Sequence, residues 1–168
     1  MSTHYSQQAN SFISQAHDPL KPNEMHGRKR ICWFEFNTTD DLNGTDALAE
    51  ADVLILAKIP AGARILGGYC TFEAMGTDQQ ADIGLQAVDG TGYLDVAGTV
   101  ADDPDFFTTA PIAVAAAGES DFGVLQEDNF GYVTEKEVYL TATLIDATSS
   151  DPWAADKDFQ GIVNYVVD

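Results

Sequence analysis

The sequence predicts an all-β chain: one antiparallel β-sandwich carrying an extended N-terminal arm. Three observations lead there. Short apolar runs of strand length recur through residues 31–168, several of them alternating in and out. Gly, Asn, Asp and Pro punctuate the gaps between the runs, as tight reversals require. Residues 1–30 differ from the rest, being rich in Ser, Gln, Asn and His and ending in HGRKR.

The arm, 1–30, has no sustained apolar period, and its composition is that of a segment ordered by a partner. Tyr5, Phe12, Ile13 and Leu20 are spaced apolar anchors within it. The sandwich domain is placed at 31–168 and opens on ICWFEF, residues 31–36. Strand alternation puts Cys32, Phe34 and Phe36 on one face, with Trp33 and Glu35 on the other. Residues 37–44 hold turn chemistry, and 45–52 have enough helical propensity for a short helix.

The organising stretch is 52–72, DVLILAKIPAGARILGGYCTF. It reads as a strand, a Pro60-Ala61-Gly62 reversal and a second strand. The continuous run Val53–Leu56 fits a strand covered on both faces. A polar break at 76–80 precedes a strand at 81–88, with Ile83, Leu85 and Ala87 on one side. Asp89-Gly90 signals a hairpin returning along 92–96. Residues 102–105 read as a loop, and the alanine-rich 111–118 is ambiguous between strand and helix. Further strands are expected at 122–125, 136–145 and 159–167, with one helical turn allowed in the loop 146–158. Eight or nine short strands make a two-sheet sandwich.

At 168 residues the chain is expected to form one domain burying roughly 70% of its unfolded surface. No run of about 18 apolar residues predicts a transmembrane helix. The polar start, MSTHYSQQANSF, is not expected to act as a secretory signal. Charge is the compositional anomaly, with 8 basic against 27 acidic residues and a net of −19. Half of the basic residues, Lys21, Arg28, Lys29 and Arg30, lie in the first 30 positions, which leaves the body acidic. Such a body argues against nucleic acid, whose phosphates it would repel, and favours solubility and salt tolerance.

Candidate chemistry is sparse. His4, His17 and His26 all lie in the arm, so the body offers no imidazole to a metal cluster or a nucleophilic triad. Neither phosphate-binding glycine motif is present. Glu35 and Glu73 stand in strand-like segments near aromatics, where outward-facing residues are the ordinary reading. The acidic loops 40–41, 102–105 and 146–158 could offer oxygen to calcium, but none has the spacing of an EF-hand. Cys32 and Cys70 read as buried thiols, with a cross-strand disulfide left open. Trp33, Tyr69, Tyr93 and Trp153 are candidates for a sugar-stacking platform.

KIPAGARILGGYCTFEA (58–74) followed by ADIGLQAVDGTGYLD (81–95) resembles a loose family of small structural proteins from tailed bacteriophages. There, a strand ending in Leu/Ile-Pro-Ala-Gly-Ala precedes a strand and a DIGL…DG hairpin. A basic N-terminal segment and a final strand pair, here 138–145 and 161–167, extend the likeness over about residues 28–168. The resemblance implies a non-enzymatic virion protein of the capsid decoration or cement type, jelly-roll-like in fold and free of cofactors. Its implied partners are the major capsid protein and itself, as a homotrimer on the capsid surface, after assembly in the host cytoplasm. Arg28, Lys29 and Arg30 are then expected to dock on an acidic shell surface. A tail or connector component, a receptor- or carbohydrate-binding module and a paired-carboxylate glycosidase are the competing readings.

Overall fold

The computed structural model describes residues 3–5, 29–39, 41, 48–88, 93–95, 98–100, 102–103, 105–108, 110–123, 132–146 and 153–167. Its strands are β1 (Thr3–Tyr5), β2 (Lys29–Asn37), β3 (Val53–Ile59), β4 (Ala63–Phe72), β5 (Gln79–Ala87) and β6 (Tyr93–Asp95). They continue with β7 (Gly98–Val100), β8 (Asp102–Asp103), β9 (Ile112–Ala113), β10 (Gly118–Phe122), β11 (Val138–Asp146) and β12 (Asp158–Val167). Among the described residues there is no helix.

Two sheets face each other. One runs β10-β4-β12-β2; the other runs β1-β3-β11-β5-β8, with β9 also paired to β5. The antiparallel pairs are nested: β2 with β12, β3 with β11, β4 with β10, and β5 with β8 and β9. The outermost pair thus joins the first and last long strands, and each inner pair lies within it. A ribbon of nested antiparallel pairs wrapped into two sheets is a jelly roll.

Alternation fills the space between the sheets. Val138, Leu140, Ala142 and Leu144 of β11 are all buried, and they meet Phe34, Phe36, Phe72 and Phe159 of the other sheet within one core. The continuous apolar run of β3 is covered on both faces at Leu54–Leu56, as its sequence suggests, and a bulge extends the buried stretch to Ala57. Leu140 pairs with Ala57 and Thr141 with Ile55, so Leu56 is an extra residue in the ladder. This bulge shifts the alternation by one, and Leu54 and Leu56 before it join Ala57 and Ile59 after it in the same core. Ile55 is buried too, outside that cluster.

The reversal between β3 and β4 is held by a residue more than 70 positions away. The buried Thr134 hydroxyl accepts from the Ala63 N–H at 3.0 Å and donates to the Pro60 carbonyl at 2.7 Å. Its backbone adds Gly62 N–H to Thr134 O at 2.6 Å and Thr134 N–H to Ala63 O at 2.9 Å. Gly62 turns at φ 75°, in the left-handed region where glycine carries no side-chain penalty. Thr134→Val keeps the shape but leaves the Ala63 donor and the Pro60 acceptor unpaired. The expected loss is about 1–3 kcal/mol, read as a lower urea midpoint at unchanged slope.

Several sequence expectations shift. Among the described residues, the return strand expected after Asp89-Gly90 does not pair with β5. Instead β6 pairs with β7, because β11 occupies one edge of β5 and β8 and β9 the other. Asp102 and Asp103, expected in a loop, form β8 against Gln86 and Leu85. The strand expected at 122–125 lies earlier, at 118–122, and residues 124–125 fall outside the described residues. Ile112–Ala113 resolves the ambiguous alanine-rich stretch as a two-residue strand. Residues 48–52 and 153–157 are non-helical; the rest of both helical candidates falls outside the described residues, apart from Asp146 and Asp158, which are in strands. Thr3–Tyr5, within the segment expected to await a partner, pairs in parallel with β3 of its own chain.

Candidate interaction surface

Among the described residues, the two most exposed large hydrophobic side chains lie on the outer face of the β10-β4-β12-β2 sheet. β2 alternates as its sequence requires, with Phe34 and Phe36 buried inward and Lys29, Ile31 and Trp33 exposed outward. Ile31 is 62% exposed and Trp33 52%, the two highest values among the exposed large hydrophobic residues described. Trp33 pairs with Ile162 of β12, which pairs with Tyr69 of β4, which pairs with Asp121 of β10. An aromatic, an aliphatic, an aromatic and an acid therefore stand in one row across the sheet.

The Tyr69 hydroxyl donates to Glu119 Oε2 at 2.7 Å. That bond, followed by desolvation and the nearby negative charges, pushes the phenol above its ordinary pKa. Glu119 and Asp121 are both exposed, so the β10 edge is acidic. The β2 edge is mixed in charge, since the half-buried Glu35 shares its outer face with Lys29. Lys29 is exposed on the outer face, while Arg30 turns inward at the sandwich rim, half buried, with its Nε unpartnered. Arg28 lies outside the described residues. The basic residues assigned to the arm thus reach into β2, where Lys29 and Arg30 pair with Val166 and Tyr165.

The other candidate groups do not converge. Glu35 sits half buried on β2 opposite Gln160. Glu73 is exposed beyond β4, 3.8 Å from Lys157 Nζ. Trp153 is buried beside Phe159, and so cannot belong to a sugar platform with Trp33 and Tyr69. The Tyr93 side chain lies outside the described residues. Cys32 and Cys70 are free thiols on strands separated by β12. Two strand spacings are roughly 10 Å, beyond the ~7 Å a disulfide spans. Burial pushes the thiol of Cys32 to about 11 and that of Cys70 to about 12, so both stay protonated near neutrality. Among the described residues, no group of three or more His, Cys, Asp or Glu is placed to hold a metal.

With this topology in view, a chain from the capsid of Ralstonia phage GP4 matches at TM-score 0.68, over 99% of both chains and at 16% identity. The two chains share a fold. A chain of the cyanophage Pam1 capsid asymmetric unit matches at TM-score 0.49 and 16% identity, covering 92% of this chain and 96% of that one. A chain of infectious bursal disease virus, Gx strain, matches at 0.48 and 11% identity, covering 90% of this chain and 36% of that one. No protein-family model matches the sequence, and no curated protein does.

The surface was partly legible beforehand. Alternation in ICWFEF turns Trp33 outward. The row it belongs to was not, because Ile162, Tyr69 and Asp121 come from three strands whose order only the topology supplies.

Proposed function

We propose that this chain is a non-enzymatic structural protein of a phage virion. In this reading it binds the outer surface of the capsid as a homotrimer and stabilises contacts between major capsid subunits, as decoration or cement proteins do. The observation that carries the reading is the nested jelly-roll topology, shared from end to end with a phage capsid chain. The surface chemistry is compatible with it. A body of strong negative charge keeps particles apart, while the basic stretch Arg28, Lys29 and Arg30 is left to engage an acidic surface of a neighbouring subunit. Exposed Ile31 and Trp33 beside that stretch supply apolar area for the same contact.

Sedimentation of the purified protein with undecorated phage shells tests the proposal. The expected result is co-sedimentation at a fixed ratio to the shell subunits, weakened by added salt. Protein that stays in the supernatant at every ratio would overturn shell decoration, and a sharp trimer that ignores shells would point to a tail or connector position.

A further inference from the structure

The outer face of the β10-β4-β12-β2 sheet carries two parallel rows of different chemistry. In the first, Trp33, Ile162 and Tyr69 stand level on β2, β12 and β4. In the second, one outward position further along each strand, Glu35, Gln160, Thr71 and Glu119 stand level in the same way. The two aromatic rings sit on strands separated by β12 alone, two strand spacings or roughly 10 Å apart. Tyr69 is held in place, its hydroxyl donating to Glu119 at 2.7 Å. Trp33, Gln160 and Glu119 are exposed and Glu35, Tyr69 and Thr71 half buried, which leaves both rows open to a ligand.

We propose that this face binds a neutral, extended polysaccharide of β-1,4-linked pyranoses, laid across the strands with its sugar rings on Trp33 and Tyr69. The two rows match the two sides of a sugar. Aromatic rings take its apolar C–H face, and the flanking amide, hydroxyl and carboxylate groups take its hydroxyls. Gln160 and Thr71 each donate and accept, while Glu35 and Glu119 accept. Spacing selects the polymer. In a β-1,4 chain every second pyranose presents the same face, at a repeat close to the two strand spacings between the rings. A single sugar would meet one ring only, on an open surface that encloses none of it. Charge selects a neutral chain. Glu35, Glu119 and Asp121 on this face, within a net charge of −19, repel sulfated or uronic-acid chains and nucleic acid. This inference goes beyond the proposed function. Trp33 lies at the border of the two surfaces: Ile31 and Lys29 continue from it along β2 towards the shell contact, and the sugar row leaves it across the sheet.

Titration of the full chain with cellohexaose and with chitohexaose tests it, read by tryptophan fluorescence and by calorimetry. At least one is expected to shift the emission to the blue and to protect Trp33 from acrylamide, while glucose and heparin leave it accessible. Trp153 is buried and supplies a constant background. Added salt should not change the affinity. By calorimetry, Trp33→Ala and Tyr69→Ala should each weaken binding about fivefold or more, and Lys29→Ala should leave it at the wild-type value. Failure of both oligosaccharides at millimolar concentration, protection by heparin that salt abolishes, or wild-type affinity in either aromatic variant would overturn the proposal. Protection of Trp33 on raising the protein concentration alone, without sugar, would mark a protein contact and overturn it too. Shell pelleting is scored separately: protein that binds oligosaccharide but ignores shells sinks the decoration reading alone, and protein that pellets with shells but binds neither oligosaccharide sinks this one alone.

Discussion

Gly161→Ala is expected to stop the sandwich from closing. Gly161 sits on β12, between β4 and β2, level with Cys70 and Phe34. A Cβ there would stand 2.2 Å from the Tyr69 carbonyl oxygen, 2.9 Å from Cys70 Cα and 2.7 Å from Phe34 Cζ. Two of these neighbours are backbone atoms of a paired strand, which cannot swing aside as a side chain does. The cost should therefore exceed the about 1–3 kcal/mol of ordinary core overpacking. A domain with about 5–15 kcal/mol in total has little room for that, so the variant should be largely insoluble or show a collapsed urea midpoint. Gly118→Ala is the control. Its nearest contact is a Phe72 ring atom at 3.3 Å, which can yield, and the midpoint should barely move. A Gly161→Ala protein with the wild-type midpoint would show that β4 and β12 are not in this register.

Phe159→Ala should cost about 3–5 kcal/mol, the range for removing a buried aromatic from a core that refills incompletely. Phe159 has no exposed surface and joins three aromatic partners. Phe34 and Phe72 stack on either side at 6.2 Å, and Trp153 leans on it at 6.4 Å. The two glycine and phenylalanine positions are linked, since the ring of Phe34 occupies the space that Gly161 leaves open two residues along the same strand face. Chemical denaturation gives the stability loss. The Trp153 emission should also shift to the red as its pocket loosens, and an unchanged spectrum with unchanged stability would contradict the stack.

The long strands were readable because each carries its own alternation. In β11 the even positions Val138 to Leu144 are buried as the pattern demands, and β12 falls within one residue of its expected start. What failed were decisions between partners. Asp89-Gly90 is a sound local turn signal, yet pairing depends on which edges of β5 are free, and distant strands fill both. The bulge at Leu56 was invisible for a similar reason. The run Val53–Leu56 signals cover on both faces, which buried Ile55 has, but nothing in it marks where the ladder slips by one. Thr134 likewise carries no local signal, because its role is defined by the Pro60–Gly62 reversal it reaches across the fold. Lys29 and Arg30 stood out by charge alone; that they continue a strand beneath the exposed Trp33 follows from β12 pairing as far as Val166.

The nested pairing has a consequence for how the chain reaches this state. Because β2 pairs with β12, its register is completed only by residues 158–167, more than 120 positions further along. β3 waits for β11 in the same way. A ribosome emitting such a chain holds β2, β3 and β4 exposed for most of the elongation time, with their inward-facing phenylalanines unburied. High contact order makes the subsequent closure slow, and unpaired strands are the state in which such chains meet one another. The heavy negative charge of residues 31–168 would then act before the fold exists, holding nascent copies apart until their last strand arrives.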